Sequence, residues 1–127
     1  MRKIVAVALV AMHAMLGTSV QAADTAKIGI LLPLTGPFAA VAETQKEGAL
    51  LAIDVINKRG GLNMPNGKVK LEGVVADDEA KQDVGVRRFR YMVDEGVKGL
   101  GGQTFAPLAY AINALDVIDP KAEMVIA

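Results

Sequence analysis

Residues 27–61 read KIGILLPLTGPFAAVAETQKEGALLAIDVINKRGG, and this stretch decides the fold. Lys27 to Leu34 is a near-continuous apolar run, closed by Pro33, Thr35, Gly36 and Pro37. A short run of this kind between turn residues predicts a strand buried on both faces. From Val41 to Lys58 the period changes to that of a helix. Gln45, Ala49, Ala52, Ile53 and Ile56 share one side, while Glu43, Glu47, Asp54 and Lys58 share the other. Gly60-Gly61 supplies the positive-φ positions that end a helix.

The same alternation continues downstream. Asn66-Gly67 signals a turn, and it leads into a second strand, Val69 to Ala76, that ends on Asp77-Asp78. A second helix is expected from Ala80 to Asp94, with Val86, Phe89, Met92 and Val93 on its apolar face. Asp83–Arg87 and Arg90–Asp94 are its pairs at four-residue spacing. Gly96 stops it, and Val97 to Gly101 forms a short third strand. A third helix follows, with Leu108, Ala111, Ile112, Leu115 and Ile118 as its buried stripe. Pro107 fits its first turn, where backbone N–H groups have no intrahelical partner. Asp119-Pro120 ends this helix, and Glu123 to Ile126 reads as a fourth strand. The order β-α-β-α-β-α-β predicts an α/β fold, an open parallel sheet with helices on both faces. A chain that stops on its fourth strand reads as a fragment.

Upstream, the first 22 residues read as a secretory signal peptide. Arg2 and Lys3 precede the apolar run Ile4–Leu16, and Val20 and Ala22 suit a cleavage site. Cleavage is expected after Ala22 or Ala23. The run is too short to cross about 30 Å of hydrocarbon, which takes roughly 20 residues. The expected location is therefore periplasmic, with residues 23–127 forming a partial domain. The chain contains no Cys, so neither a lipidated cysteine nor a disulfide is available.

Composition excludes several function classes. The only His is His13 and the only Ser is Ser19, both inside the signal segment. The exported part can build no Ser-His or Cys-His nucleophile pair. A transition-metal site would have to use carboxylates alone, so no metal and no cofactor are expected. Removing Arg2 and Lys3 leaves the balance slightly acidic with no basic patch, which argues against a nucleic-acid partner. No strand is followed by G-x-G-x-x-G in the place a dinucleotide-binding enzyme needs it, and Gly67-Lys68 is followed by Val69, so no P-loop is present.

In an open parallel sheet, ligands bind beyond the carboxyl ends of the strands, where the strand order reverses. With strands ordered 2-1-3-4, that point lies between the first and third. Two loops meet there, Pro33–Ala40 (PLTGPFAA) and Gly101–Pro107 (GGQTFAP). The second opens a helix, whose free N–H groups and partial positive charge favour a carboxylate. Thr104 offers a hydroxyl to a ligand or to the helix as a cap. Gln103 can contact a ligand or satisfy loop backbone. Phe38 and Phe105 are pocket walls or core residues. Asp77-Asp78 is read as a polar strand end capping the second helix rather than as a cation site.

These residues together resemble the leucine/isoleucine/valine-type solute-binding proteins of ABC transporters. The shared pattern is Pro33–Pro37, then Gly48, Ala52, Ile56 and Asn57 on the first helix, Gly60-Gly61, and Asp77-Asp78 after the second strand. The resemblance covers Lys27 to Ala127. It implies a type I periplasmic binding fold, two α/β lobes that close on a ligand like a flytrap, of which this chain would be part of the N-terminal lobe. It implies an amino acid, amide or aromatic acid as ligand, a membrane permease as partner, and a monomer at full length. It places Thr104, with Gln103 and Phe105, at the ligand head group. Phe105 and Pro107 stand where small hydroxyl residues are common in the family, which leaves room for a different carboxylate or an aromatic compound. The competing expectations are an exported ligand sensor of the same fold and an α/β enzyme.

Overall fold

The computed structural model describes residues 24–102, 106–118 and 125–126. The signal segment, and the boundary expected at Asp119-Pro120, lie outside the described residues. The described residues form five strands and three α-helices: β1 Thr25–Leu32, α1 Ala39–Lys58, β2 Leu62–Met64, β3 Gly67–Asp77, α2 Gln82–Asp94, β4 Gly99–Gly101, α3 Ala106–Ile118 and β5 Val125–Ile126. A 3-10 turn, Gly36–Phe38, precedes α1.

The sheet order is β2-β3-β1-β4-β5. β1 pairs in parallel with β3 (Ile28 opposite Gly73) and with β4 (Ile28 opposite Gly99), and β4 pairs in parallel with β5. The four strands expected from the sequence therefore stand in the expected order. The sheet is nevertheless mixed, because β2 pairs antiparallel with β3 at one edge. β2 was not anticipated: it is only Leu-Asn-Met, exposed throughout, and bounded by glycine and proline. The turn at Asn66-Gly67 is the tip of this hairpin, with Gly67 at φ 124°.

Side chains alternate along β1 and feed two cores. Leu31 points to the side of α2 and α3, where it joins Phe89, Met92, Leu100, Leu108 and Ile112. Ile30 and Leu32 point the other way and pack with Ala42, Ala49 and Ile53 of α1. A strand with buried side chains on both faces is what the unbroken apolar run predicts. The helix stripes hold in part. Phe89 and Met92 are fully buried, and Val86 and Val93 pack against them, as expected for α2. Gly85 lies in this face as well, because Leu108 of α3 presses onto it: a Cβ on Gly85 would stand 2.4 Å from the Leu108 Cδ2. On α1, Gln45 and Ala52 were placed on the packed side but are exposed, whereas Asn57 turns toward the sheet. Its amide donates to Leu71 O and accepts from Leu71 N, both at 2.8 Å, which ties the end of α1 to β3. Asp83 and Arg87 form their ion pair at 2.9 Å; none joins Arg90 to Asp94 among the described residues.

Candidate functional site

The strand order fixes where the connections diverge. From β1 the chain steps to β3 on one side, then from β3 across to β4 on the other. The crevice between β1 and β4, at their carboxyl ends, is the switch point of the sheet. The loop after β1 and the loop after β4 flank it.

The loop after β1 is held by one carboxylate. Asp77 Oδ1 accepts from Leu34 N and Glu79 N, each at 2.8 Å, and its Oδ2 accepts from the Thr35 hydroxyl at 2.7 Å. Partial burial opposes the charge on Asp77, yet the hydrogen bonds from Thr35, Glu79 and Leu34 outweigh it and hold the carboxyl below its ordinary pKa. Beyond this anchor, Gly36–Phe38 turns into α1 and leaves Phe38 half exposed, 51%. Phe38 thus lies in the loop after β1 and outside both cores.

Asp77 and Asp78 do not cap α2, contrary to the sequence expectation. The residue at the helix N-cap is Lys81, with no side-chain cap, because a tight turn intervenes. Lys81 N donates to Asp78 O, Ala80 N donates to Asp78 Oδ1 at 2.8 Å, and Glu79 and Ala80 both take positive φ, 54° and 53°. Asp78 is fully buried and its Oδ2 has no hydrogen-bond partner among the described residues. Burial pushes its pKa up; the bond from Ala80 works against this, and the neighbouring Asp77 charge adds to it. The two carboxylates therefore differ: Asp77 is a charged clamp and Asp78 a buried turn residue whose charged form is disfavoured. Adjacent acidic letters in a sequence carry no sign of that division.

After β4, Gly102 takes φ 93° and sits against Leu32, where a Cβ would stand 3.1 Å from the leucine side chain. α3 starts at Ala106, with Pro107 in its first turn as expected. Gln103, Thr104 and Phe105 lie outside the described residues. Two hollows lie on the α1 face of the sheet: a groove of about 450 Å³, and a neighbouring one of about 270 Å³ that reaches Leu32, Gly101 and Gly102 at the carboxyl ends of β1 and β4. Among the described residues no cluster of three or more His, Cys, Asp or Glu could hold a metal ion, and no helix is long and apolar enough to cross a membrane.

Comparison with known proteins agrees with this geometry. The family described as periplasmic binding protein matches residues 25–119. The chain is 43% identical over 81 residues to the leucine-, isoleucine-, valine-, threonine- and alanine-binding protein of Pseudomonas aeruginosa, covering 64% of this chain and 21% of that protein. It is 33% identical over 117 residues to Leu/Ile/Val-binding protein homolog 3 of Brucella melitensis, covering 92% of this chain and 30% of that protein. Among solved structures it superposes on the branched-chain amino acid transporter substrate binding protein LivJ of Streptococcus pneumoniae, in complex with isoleucine. The TM-score is 0.69 at 27% identity, over 81% of this chain and 28% of that one. This chain spans between 21% and 30% of the length of those two curated relatives. A matched family over four strands and three helices, with the strand order and switch point of this sheet, leaves one conclusion: the chain belongs to the periplasmic binding protein family.

Proposed function

We propose that this chain is the N-terminal portion of the solute-binding component of an ABC transporter. Residues 1–22 act as a cleaved signal peptide, and residues 23–127 form part of the first lobe. The whole protein binds a branched-chain amino acid, or a related small carboxylate or amide, in the periplasm and delivers it to an inner-membrane permease. The observation that carries this reading is the match of the sheet and its flanking helices to proteins named for binding such amino acids; the switch point between β1 and β4 supports a ligand site there. Binding is non-covalent and uses no cofactor. The ligand carboxylate meets the start of α3, Thr104 and Gln103 supply polar contacts, and Phe105 and Phe38 supply apolar walls. A second lobe then closes over the ligand, and the protein works as a monomer.

Thermal unfolding of the protein from its whole reading frame tests this, against a panel of amino acids, amides and aromatic acids. A ligand that binds only the folded state stabilises it by RT ln(1 + [L]/Kd), about 2.7 kcal/mol at a hundredfold excess over Kd. Leucine, isoleucine or valine is expected to raise the transition, and Thr104→Val is expected to weaken the best ligand about tenfold by removing one hydrogen bond. Unchanged affinity in Thr104→Val removes the role assigned to that loop.

A further inference from the structure

The loop after β1 is tied to one side only. β1 lies between β3 and β4 in the sheet, and Asp77 stands at the end of β3, opposite Leu32 at the end of β1. The chain turns at Pro33, where Leu34 N donates to Leu32 O at 3.0 Å. Leu34 N is shared with Asp77 Oδ1 at 2.8 Å, and the Thr35 hydroxyl donates to Asp77 Oδ2 at 2.7 Å. Among the described residues, the hydrogen bonds that Leu34 and Thr35 donate therefore run to β1 itself or to β3, and none runs to β4. α1 continues the same lean. Its Leu50 and Ile53 lie over Gly73 of β3, 2.9 and 3.2 Å from where a Cβ on that glycine would stand.

The other side of β1 is built differently. β4 ends at Gly101, level with Ile30, so it stops short of the end of β1. Gly102 then turns with φ 93° and lies against the Leu32 side chain. The end of β1 thus has a tethered loop on the β3 side and bare glycine backbone on the β4 side, where the strand connections diverge. The tether has little support beyond Asp77. Thr35 to Phe38 are exposed, and the 3-10 turn Gly36–Phe38 buries no residue. Hydrogen bonds to a carboxylate are roughly twice as strong as those between neutral groups, so one charged acceptor at the end of β3 decides to which side the loop falls.

We propose that Asp77 and Thr35 act as a positioning clamp that draws the loop after β1 onto β3 and keeps the crevice between β1 and β4 open to ligand. The proposal rests on reading that crevice as the ligand site. In this role neither residue touches the ligand. The clamp sets the fraction of molecules whose crevice is open, and the apparent Kd rises as that fraction falls. The signature of a positioning residue is therefore slower association. A residue in contact with ligand acts on dissociation instead, because its bond is lost from the complex.

Thr35→Val in the protein from its whole reading frame tests this. It removes the hydroxyl bond and keeps both backbone bonds to Asp77, so the fold is retained. Without ligand, amide hydrogen exchange at Leu34 is expected to quicken at least about tenfold in Thr35→Val, while Val74 inside β3 is unchanged. With the tightest-binding amino acid of the panel, stopped-flow association is expected to slow about fivefold, with dissociation unchanged. Thr35→Ser restores the hydroxyl and is expected to return both rates to those of the parent protein. Unchanged exchange at Leu34 in Thr35→Val overturns the clamp. So does association at the parent rate, or a loss confined to dissociation, which would make Thr35 a ligand contact. A parent protein that binds no member of the panel sinks the transport reading, and exchange at Leu34 then decides the clamp by itself.

Discussion

Asp77 shows how one residue can serve a site without touching a ligand. Its carboxylate joins the end of β3 to the loop after β1 through bonds from Leu34 N, Thr35 Oγ and Glu79 N. Asp77→Ala leaves two backbone donors short of a partner and is expected to cost about 2–3 kcal/mol, read as a lowered urea midpoint with unchanged slope. The effect depends on pH in a defined sense. The folded pKa of Asp77 lies below its unfolded value of about 3.9. Its contribution is therefore complete above that unfolded value and is lost as pH falls through the folded one. Asp77→Ala should lack this loss, so the two stability curves converge under acid. Asp78 titrates in the opposite sense: its folded pKa is raised, so protonation relieves a buried charge as pH falls.

At the scale of elements, the contact between α2 and α3 is set by one missing side chain. Gly85 has no Cβ, so Leu108 fills the space with its two methyl carbons 2.4 and 2.5 Å from where that Cβ would be. Gly85→Ala therefore overpacks the junction at the start of α3 and is expected to destabilise the fold by about 1–3 kcal/mol. Leu108→Ala removes a fully buried leucine and is expected to cost about 2–5 kcal/mol. The double variant should lose less than the sum, because each change makes room for the other; chemical denaturation of all four proteins gives the coupling. Additive losses would mean that the two helices do not bear on each other there. The start of α3 is also the proposed carboxylate site, so this packing positions the helix to which that proposal assigns the ligand.

At the scale of the whole molecule, the sheet offers one wall of a crevice, and α1 covers part of one of its faces. A ligand pocket buries most of its ligand. Residues 24–127 expressed alone are expected to bind the best amino acid at least about 100-fold more weakly than the longer protein, since the facing lobe is absent. Calorimetric titration of both proteins checks this, and equal affinities would count against a two-lobe closure.

The sequence by itself determined the alternation of strands and helices, because a buried parallel strand must be apolar on both sides, as Lys27–Leu34 is, and helices show their own period. The strand order 2-1-3-4 was a condition and the switch point followed from it, because one-handed crossovers do not fix which strands are neighbours; the structure supplies that order. The absence of His, Ser and Cys from residues 23–127 was equally legible, since it needs no geometry. Only the tertiary structure decided the rest. The edge strand Leu62–Met64 takes its conformation from pairing with β3, not from any pattern of its own. Asp77 and Asp78 are adjacent letters, yet β3 ends between them: Asp77 reaches the loop after β1 and Asp78 is buried in the following turn. The uncovered groove beside α1 depends on which strands that helix crosses, which periodicity within α1 does not contain. These features arise between segments distant in the chain, where local physical rules give no answer.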